Sequence, residues 1–403
     1  MKPDTMRWID RNIGRVLCLF LTLLRRFGDI FISNAGSRDK PSRILFVKLI
    51  EQGSTVLAYP ALKKAAAIAG RDNVYFLVFK ENRGIIDILD VMPRSNVFEI
   101  DTRDILSFIF SGIKAIISIR LKKIDCAIDM EFFLRGSAIL SYLSGARKRV
   151  GLHLFACEGP YRGDLFTHRL VYNPYLSMRL FFLSLVEALI HEPPQGVAPM
   201  TFEVPRVPDE IPRFIPSKEA KRALIAKIEA QSGSALGKPV VILNPKLNDL
   251  IPRRRWPEEN FVRLGDLIAD AFPRSTIVIS GDAAEKDAAE RLAGRIRRAV
   301  SLAGRTSLEE LLTLYHIADL LVTSDSGPAH FSTLTPIRSF ILYGPETPLL
   351  YGPIGEGART ISSPMVCSPC LNAYNHRKTL CSSGMCLRNI SAEDVFERIK
   401  AVV

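Results

Sequence analysis

The feature that most constrains this chain is a strand–helix alternation that runs, stops at a proline-rich stretch and starts again. Arg43–Leu49 (RILFVKL) reads as a buried strand, Glu51-Gln52-Gly53-Ser54 as a glycine turn, and Thr55–Ala69 as a helix with Pro60 near its start. Strands at Val74–Phe79, Val97–Glu99 and Cys126–Asp129 then alternate with helices at Gly84–Asp90, Ile105–Leu121 and Phe132–Leu143, and a basic turn, Gly145–Arg149, follows. Val204–Pro216 (VPRVPDEIPRFIP) contains four prolines. Proline removes a backbone donor and fixes φ, so this stretch predicts a linker. Beyond it, strands at Val240–Asn244, Thr276–Ser280, Ser301–Leu302, Leu320–Ser324 and Ser339–Tyr343 alternate with helices at Pro257–Ala271, Ala284–Ile296, Ser307–Ile317 and from Ala329. Such alternation means parallel pairing: an α/β chain of two doubly wound, Rossmann-like domains, with ligands in the cleft between them at the carboxyl ends of strands.

The length, 403 residues, suits two domains with their own cores. The predicted division is an N-terminal segment 1–40, a first domain 41–205, a linker 206–216 and a second domain 217–403. Charge is unevenly placed. Residues 1–153 hold 25 Lys+Arg against 15 Asp+Glu, whereas the remainder holds 29 against 27. The basic first half therefore points toward an anionic surface. No run reaches the ~18 apolar residues of a membrane-spanning helix. Ile13–Ile32 (IGRVLCLFLTLLRRFGDIFI) is nonetheless apolar, split by Arg25-Arg26 and without an A-x-A-like cleavage site. Two readings stand: a helix lying in a membrane interface, or one packed on the protein's own surface. A second apolar and basic stretch, Ile105–Lys123, lies in the same half. Nucleic acid is not an expected partner, because aromatic platforms are missing near the basic runs.

Of the seven cysteines, Cys18, Cys126 and Cys157 read as buried thiols. Cys367, Cys370, Cys381 and Cys386, spaced C-x2-C-x10-C-x4-C, read either as a thiolate metal site or as a thiol or disulfide cluster in a C-terminal loop. The chain contains no G-x-G-x-x-G, no G-x-x-x-x-G-K-[ST] and no H-E-x-x-H, which removes the main support for hydride transfer, P-loop phosphoryl transfer and zincin proteolysis.

Three strand ends carry chemistry. In Leu320–His330 (LLVTSDSGPAH) a strand runs into Asp325, Ser326 and Gly327, and Pro328 opens a helix. Gly327 permits close backbone approach, free amides favour an anion, and Asp325 and His330 offer contacts to hydroxyl or phosphate oxygens. The alternative is a capped helix with His330 in the core. Asn244–Pro257 (NPKLNDLIPRRRWP) places Asn244 at a strand end and Arg254 and Arg255 before a helix, where guanidinium groups either suit a diphosphate or form a solvated basic turn. In Ser280–Glu285 (SGDAAE), Glu285 is either a partner for ribose hydroxyls or a first-turn acid favoured by the helix dipole.

These stretches resemble glycosyltransferase family 9, the heptosyltransferases of lipopolysaccharide core synthesis, along residues 43–400. RILFVKLIEQGSTVLAYPALKKA is similar to the family's opening strand, Gly-Asp turn and Pro-Ala-Leu helix. NPKLNDLIPRRRWPEENFVRL is similar to its Asn-Pro to Arg-Trp-Pro loop. The run from SLAGRTSLEELL through SDSGPAHFSTL to GPETPLLYGP resembles its signature, and CSPC followed by CLRNISAEDV its C-terminal end. The resemblance implies a GT-B fold and inverting transfer of a heptose from an ADP-sugar to a lipid-linked saccharide, with neither cofactor nor catalytic metal. It implies a peripheral enzyme on the cytoplasmic side of the inner membrane. Asp325, Ser326, Gly327 and His330 would hold the diphosphate and sugar, Arg254 would stand in the place of the family's phosphate-binding lysine, and Glu285 would sit at the ribose. One position departs. The family's turn after the first strand supplies Gly-Asp, whose carboxylate deprotonates the acceptor, and here the pair is Gly53-Ser54. Serine is no general base at neutral pH without a partner. Glu51 is read either as its substitute or as a surface glutamate in a turn, with Asp129 next in line. Other nucleotide-sugar chemistry on a GT-B fold, or a non-catalytic sugar- or lipid-binding homologue, are the alternatives.

Overall fold

The computed structural model describes residues 3–31 (side chains to 28), 40–156, 159–206, 210–247, 254–373, 375 and 379–402. Cys157, Arg253, most of the loop after Asn244 and part of the proline-rich linker lie outside them. The chain divides into two compact units, Met1–Pro208 with Ala373–Arg377, and Asp209–Asn372 with Lys378–Val403.

In unit 1, strands β1 (Ile44–Val47), β2 (Val74–Phe79), β3 (Val97–Ile100), β4 (Cys126–Asp129), β5 (Lys148–Leu152) and β6 (His168–Leu170) form one sheet in the order β3-β2-β1-β4-β5-β6. Every pairing is parallel. Its helices are α1 (Pro3–Phe31), α2 (Gln52–Leu57), α3 (Tyr59–Ala69), α4 (Arg83–Leu89), α5 (Ile105–Leu121), α6 (Arg135–Leu143) and α7 (Met178–Glu187). β1 and β2 are buried along their whole length, which is why they read as unbroken apolar runs.

Unit 2 repeats the plan with β7 (Val240–Asn244), β8 (Thr276–Ile279), β9 (Ala299–Ser301), β10 (Leu320–Ser324), β11 (Arg338–Tyr343) and β12 (Ala358–Ser362), ordered β12-β11-β10-β7-β8-β9. Again all pairs are parallel. Helices α8 (Lys218–Ser232), α9 (Glu258–Ala271), α10 (Lys286–Ala293), α11 (Leu308–Ile317) and α12 (Gly327–Phe331) cross between strands, and α13 (Pro348–Tyr351), α14 (Met385–Arg388) and α15 (Ala392–Lys400) complete the unit. Read from its own first strand, each sheet has the doubly wound Rossmann order, and two such units in one chain make up the GT-B fold.

Three local expectations are corrected. The helix expected over Thr55–Ala69 is two, α2 and α3, because Pro60 has no N–H to continue the ladder. Gly145–Arg149 is only in part a turn, since Lys148 and Arg149 begin β5, their side chains half-buried beside the sheet. Helix α6 begins at Arg135 rather than at Phe132.

Within the N-terminal segment, Pro3–Phe31 is one long helix, and its packing is inverted. Along one side Asp10, Gly14, Cys18, Thr22 and Arg25 recur every three or four residues and face unit 1. Asp10 Oδ1 accepts from Gly136 N at 2.8 Å, acting as a cap from outside for α6, whose own N-cap Leu134 has no side-chain bond. Thr22 Oγ1 accepts from Asp164 N at 2.9 Å, and Arg25 pairs with Asp164. A Cβ on Gly14 would lie 3.0 Å from that of Arg135, so the helix approaches closely. The alternative of packing on the protein's own surface therefore describes this side of the helix.

Candidate active site

A doubly wound sheet splays open where its strand order reverses, and ligands bind there outside the carboxyl ends. In unit 2 this point lies between β7 and β10. Asn244 ends β7, and its amide Nδ2 donates to Ser280 O at 3.0 Å and Ser280 Oγ at 3.1 Å. Its Oδ1 accepts from Thr323 Oγ1 at 3.3 Å, and Thr323 Oγ1 lies 3.3 Å from Ser326 Oγ, which donates to Ser324 O at 3.1 Å. Asn244, Thr323 and Ser326 are all buried. A neutral amide and hydroxyl chain thus ties three strand ends together, and buried polar groups need such partners.

Over this network lies Arg254, half-buried. Its guanidinium donates to the backbone carbonyl of Asp325 and sits 3.2 Å from Asp325 Oδ2. Arg254 and Asp325 line a small depression with Gly344 and Glu346. Trp256 anchors the loop behind them: it is fully buried, its Nε1 donates to Ile390 O at 2.8 Å, and its ring meets Phe261 edge-on at 4.8 Å. Arg255 follows directly and is half-buried. Gly327 and Pro328 open the short α12, on which His330 is buried. Gly327 is tight, since a Cβ there would lie 3.2 Å from the Phe331 ring. Glu285 is buried in a capping box, its Oε2 accepting from Asp282 N at 2.9 Å while Asp282 accepts from Ala284 N and Glu285 N. The first-turn role is therefore realised, and one carboxylate oxygen is already engaged.

In unit 1 the order reverses between β1 and β4, and the strand ends there are charged. Glu51 is the N-cap of α2 with a left-handed backbone, φ 66°. Such a conformation is costly for a residue with a Cβ and persists where its surroundings enforce it. Ser54 Oγ donates to Glu51 O at 3.0 Å and lies 3.3 Å from Glu51 Oε2, so the structure brings Glu51 and Ser54 together. Beneath them Glu131 Oε1 accepts from Leu49 N at 2.6 Å and Ile50 N at 3.0 Å, fixing the turn that presents Glu51. Burial pushes the Glu131 carboxyl up, and the charge of Lys48 pulls it back. Lys48 itself is buried and donates to Ile50 O at 3.0 Å. Asp129, the reserve candidate, is wholly buried, paired with Arg162 and accepting from Ser137 Oγ at 3.0 Å. An acid so enclosed is a structural partner, not a base open to a substrate.

Glu131, Lys48 and Arg162 went unnoticed in the sequence. The signal for Glu131 was an acid two residues past Asp129, at the end of the apolar strand CAID. Arg162 carried none, being far from Asp129 in the chain. The four C-terminal cysteines line one pocket of about 90 Å³. Burial pushes the Cys386 thiol up, and Cys370, Cys381 and Cys367 add to it. Among the described residues no group of three or more His, Cys, Asp or Glu is disposed to hold a metal ion.

The sequence profile of glycosyltransferase family 9 (heptosyltransferase) matches residues 113–380, more than half of the chain. The chain belongs to glycosyltransferase family 9. Among curated relatives, lipooligosaccharide heptosyltransferase 2 of Haemophilus influenzae is 26% identical over 179 residues, 41% of this chain and 51% of the relative. Its Campylobacter jejuni counterpart is 24% identical over 174 residues, with the same two shares. The family 9 chain thus spans about half the length of the curated relatives it matches. Solved structures agree in fold. The Escherichia coli ADP-heptose lipopolysaccharide heptosyltransferase II superposes with a TM-score of 0.64 at 19% identity, over 89% of this chain and 98% of that one. A family 9 glycosyltransferase of Veillonella parvula gives 0.67 at 18%, over 92% and 99%.

Proposed function

We propose that this chain is an inverting glycosyltransferase that moves a heptose from ADP-heptose to a lipopolysaccharide-core-like, lipid-linked acceptor without a catalytic metal. Its family membership supports the reaction class, and the named heptosyltransferases it resembles support the sugar and the acceptor. The observation that carries the reading is Arg254 held over Asp325 at the strand ends of unit 2.

In the proposed reaction an acceptor hydroxyl attacks the anomeric carbon from the face opposite the nucleotide. The new C–O bond forms as the bond to the β-phosphate breaks, and ADP departs with the electron pair. The hydroxyl proton passes to Glu51, which takes the role the family gives to the position of Ser54. Charge growing on the diphosphate is met by Arg254 and Arg255 and by the backbone N–H groups of Ser326 and Gly327. Fixed donors of this kind do the work that a metal ion does in other transferases. Asn244, through Thr323, holds the Ser326 turn in place, while His330 and Glu285 complete the donor-side set. Because the acceptor is lipid-linked, the enzyme works at the cytoplasmic face of the inner membrane, as a peripheral protein.

The test is a transfer assay with ADP-heptose and a heptose-deficient core acceptor, with and without EDTA, and NMR of the product linkage. Transfer with inversion that survives EDTA supports the proposal. Turnover only with UDP- or GDP-sugars would move the donor assignment. Nucleotide binding without any turnover would favour the non-catalytic homologue that Ser54 suggests.

A further inference from the structure

A surface helix of a soluble protein ordinarily turns its apolar stripe inward. Helix α1 does the reverse. Opposite the polar side docked on unit 1, Ile13, Val16, Leu17, Phe20, Leu23 and Leu24 form a continuous stripe, each 42–66% exposed. With about 1.5 Å per residue, the 29-residue helix is about 43 Å long. Helix α5 differs in packing an apolar inner side, yet it too exposes an apolar face. It buries Ala115 and Ile119 but leaves Leu106, Ile109, Phe110, Ile113, Ile117 and Leu121 47–77% exposed.

The two stripes share one face of the unit. Helix α5 connects β3 to β4 and α6 connects β4 to β5, and right-handed crossovers in one direction place both helices on the same side of the sheet. Met6 of α1, Phe108 and Ile116 of α5, and Leu140 of α6 all pack against a single core cluster. Exposed apolar area on this scale marks an interaction site.

We infer that the outer faces of α1 and α5 together form a monotopic docking surface for an anionic lipid bilayer, into which the two stripes insert while the cations beside them meet headgroups. Charge decides between a bilayer and a second copy of the chain. Arg11, Arg15, Lys114, Lys122 and Lys123 are exposed on or beside the two helices. A self-association would bring the same cations together from both copies, whereas an anionic leaflet neutralises them. Among the described residues no helix is long and apolar enough to cross a membrane, so the surface lies on the bilayer rather than through it. The inference supplies a physical surface for the membrane placement in the proposed function.

The experiment is sedimentation of the full chain with vesicles of phosphatidylcholine alone or with a third phosphatidylglycerol, at low and high salt. The vesicles contain no acceptor sugar, so failure of the transferase reading leaves the result intact. The chain has two tryptophans. Trp256 is buried and Trp8 is 53% exposed on α1, so a blue shift on binding reports Trp8. The expected result is binding to anionic vesicles that weakens with salt. Phe20→Glu/Leu23→Glu and Ile109→Glu/Ile113→Glu should each weaken it by at least about tenfold, with unchanged thermal melts, since the altered side chains are outside the core. Absence of wild-type binding, binding by both double variants as tight as that of the wild type, or self-association that these variants abolish without vesicle binding would overturn the inference.

Discussion

Units 1 and 2 share a strand order, yet their open strand ends are built from opposite materials. In unit 2 a neutral chain runs from Ser280 through Asn244 and Thr323 to Ser326, with Arg254 paired to Asp325 beside it and Arg255 next in the chain. In unit 1 the corresponding place holds Glu51, Glu131 and Asp129 against Lys48 and Arg162. The first arrangement offers donors and a positive charge to an anion. The second presents the Glu51 carboxylate on a turn with a left-handed backbone, above acids that are buried and bonded, which suits proton transfer. Topology opens both sets of strand ends, and side chains alone distinguish them.

The comparison breaks most sharply at Arg162. Arg162→Ala would leave Asp129 buried and uncompensated, a loss of about 3–5 kcal/mol in unfolding free energy. A denaturant titration showing less than about 1 kcal/mol would mean that the charged cluster is not what holds unit 1.

Acid should weaken unit 1 next. His168 on β6 is buried, and burial together with Lys148 and Arg149 pushes its imidazole down to about 4. The unfolded chain takes up this proton near the ordinary value of 6.5 while the folded chain does not. Stability is therefore full above 6.5 and falls as the pH drops toward 4, by up to about 3 kcal/mol. The raised Glu131 carboxyl acts in the opposite sense, so His168→Phe isolates the imidazole. That variant should lose less stability between pH 6.5 and 4, as read from melts across the window. Parallel wild-type and variant curves would remove His168 as the cause.

On the donor side, Arg254→Ala should weaken ADP binding about 10- to 150-fold, the worth of a charge-assisted contact of roughly 1.5–3 kcal/mol. An unchanged dissociation constant by calorimetry would take Arg254 out of the site. The smallest effect has the opposite sign. Glu51→Gly relieves the left-handed backbone and should stabilise the protein by about 1 kcal/mol while abolishing transfer. A variant that is less stable would show that Glu51 serves the fold.

Much of this was legible in the sequence. Alternating apolar runs and the prolines of Val204–Pro216 announced two parallel sheets, because strands buried on both faces cannot hide their composition. The strand-end turns at Asn244, Glu285 and Asp325 were visible from glycine, proline and charge. What escaped depended on distant contacts. β6 has only three residues, and β12, though five long, is largely exposed, so neither has an apolar run. The salt bridge of Asp129 needs an arginine 33 residues away. The inversion of α1 was hidden because periodicity identifies a stripe but not which way it faces. Only the partners Gly136 and Asp164 show that the polar side is the inner one.

The central claim of the proposed function is a division of labour in which the proton would leave through unit 1 and the nucleotide would be held by unit 2. Glu51→Gln tests it directly, with kcat and the ADP dissociation constant measured on the same preparation. The account predicts a fall in kcat of about 10²–10⁴-fold with nucleotide affinity nearly unchanged. Wild-type turnover in Glu51→Gln, or a loss of ADP binding that matches the loss of rate, would contradict it.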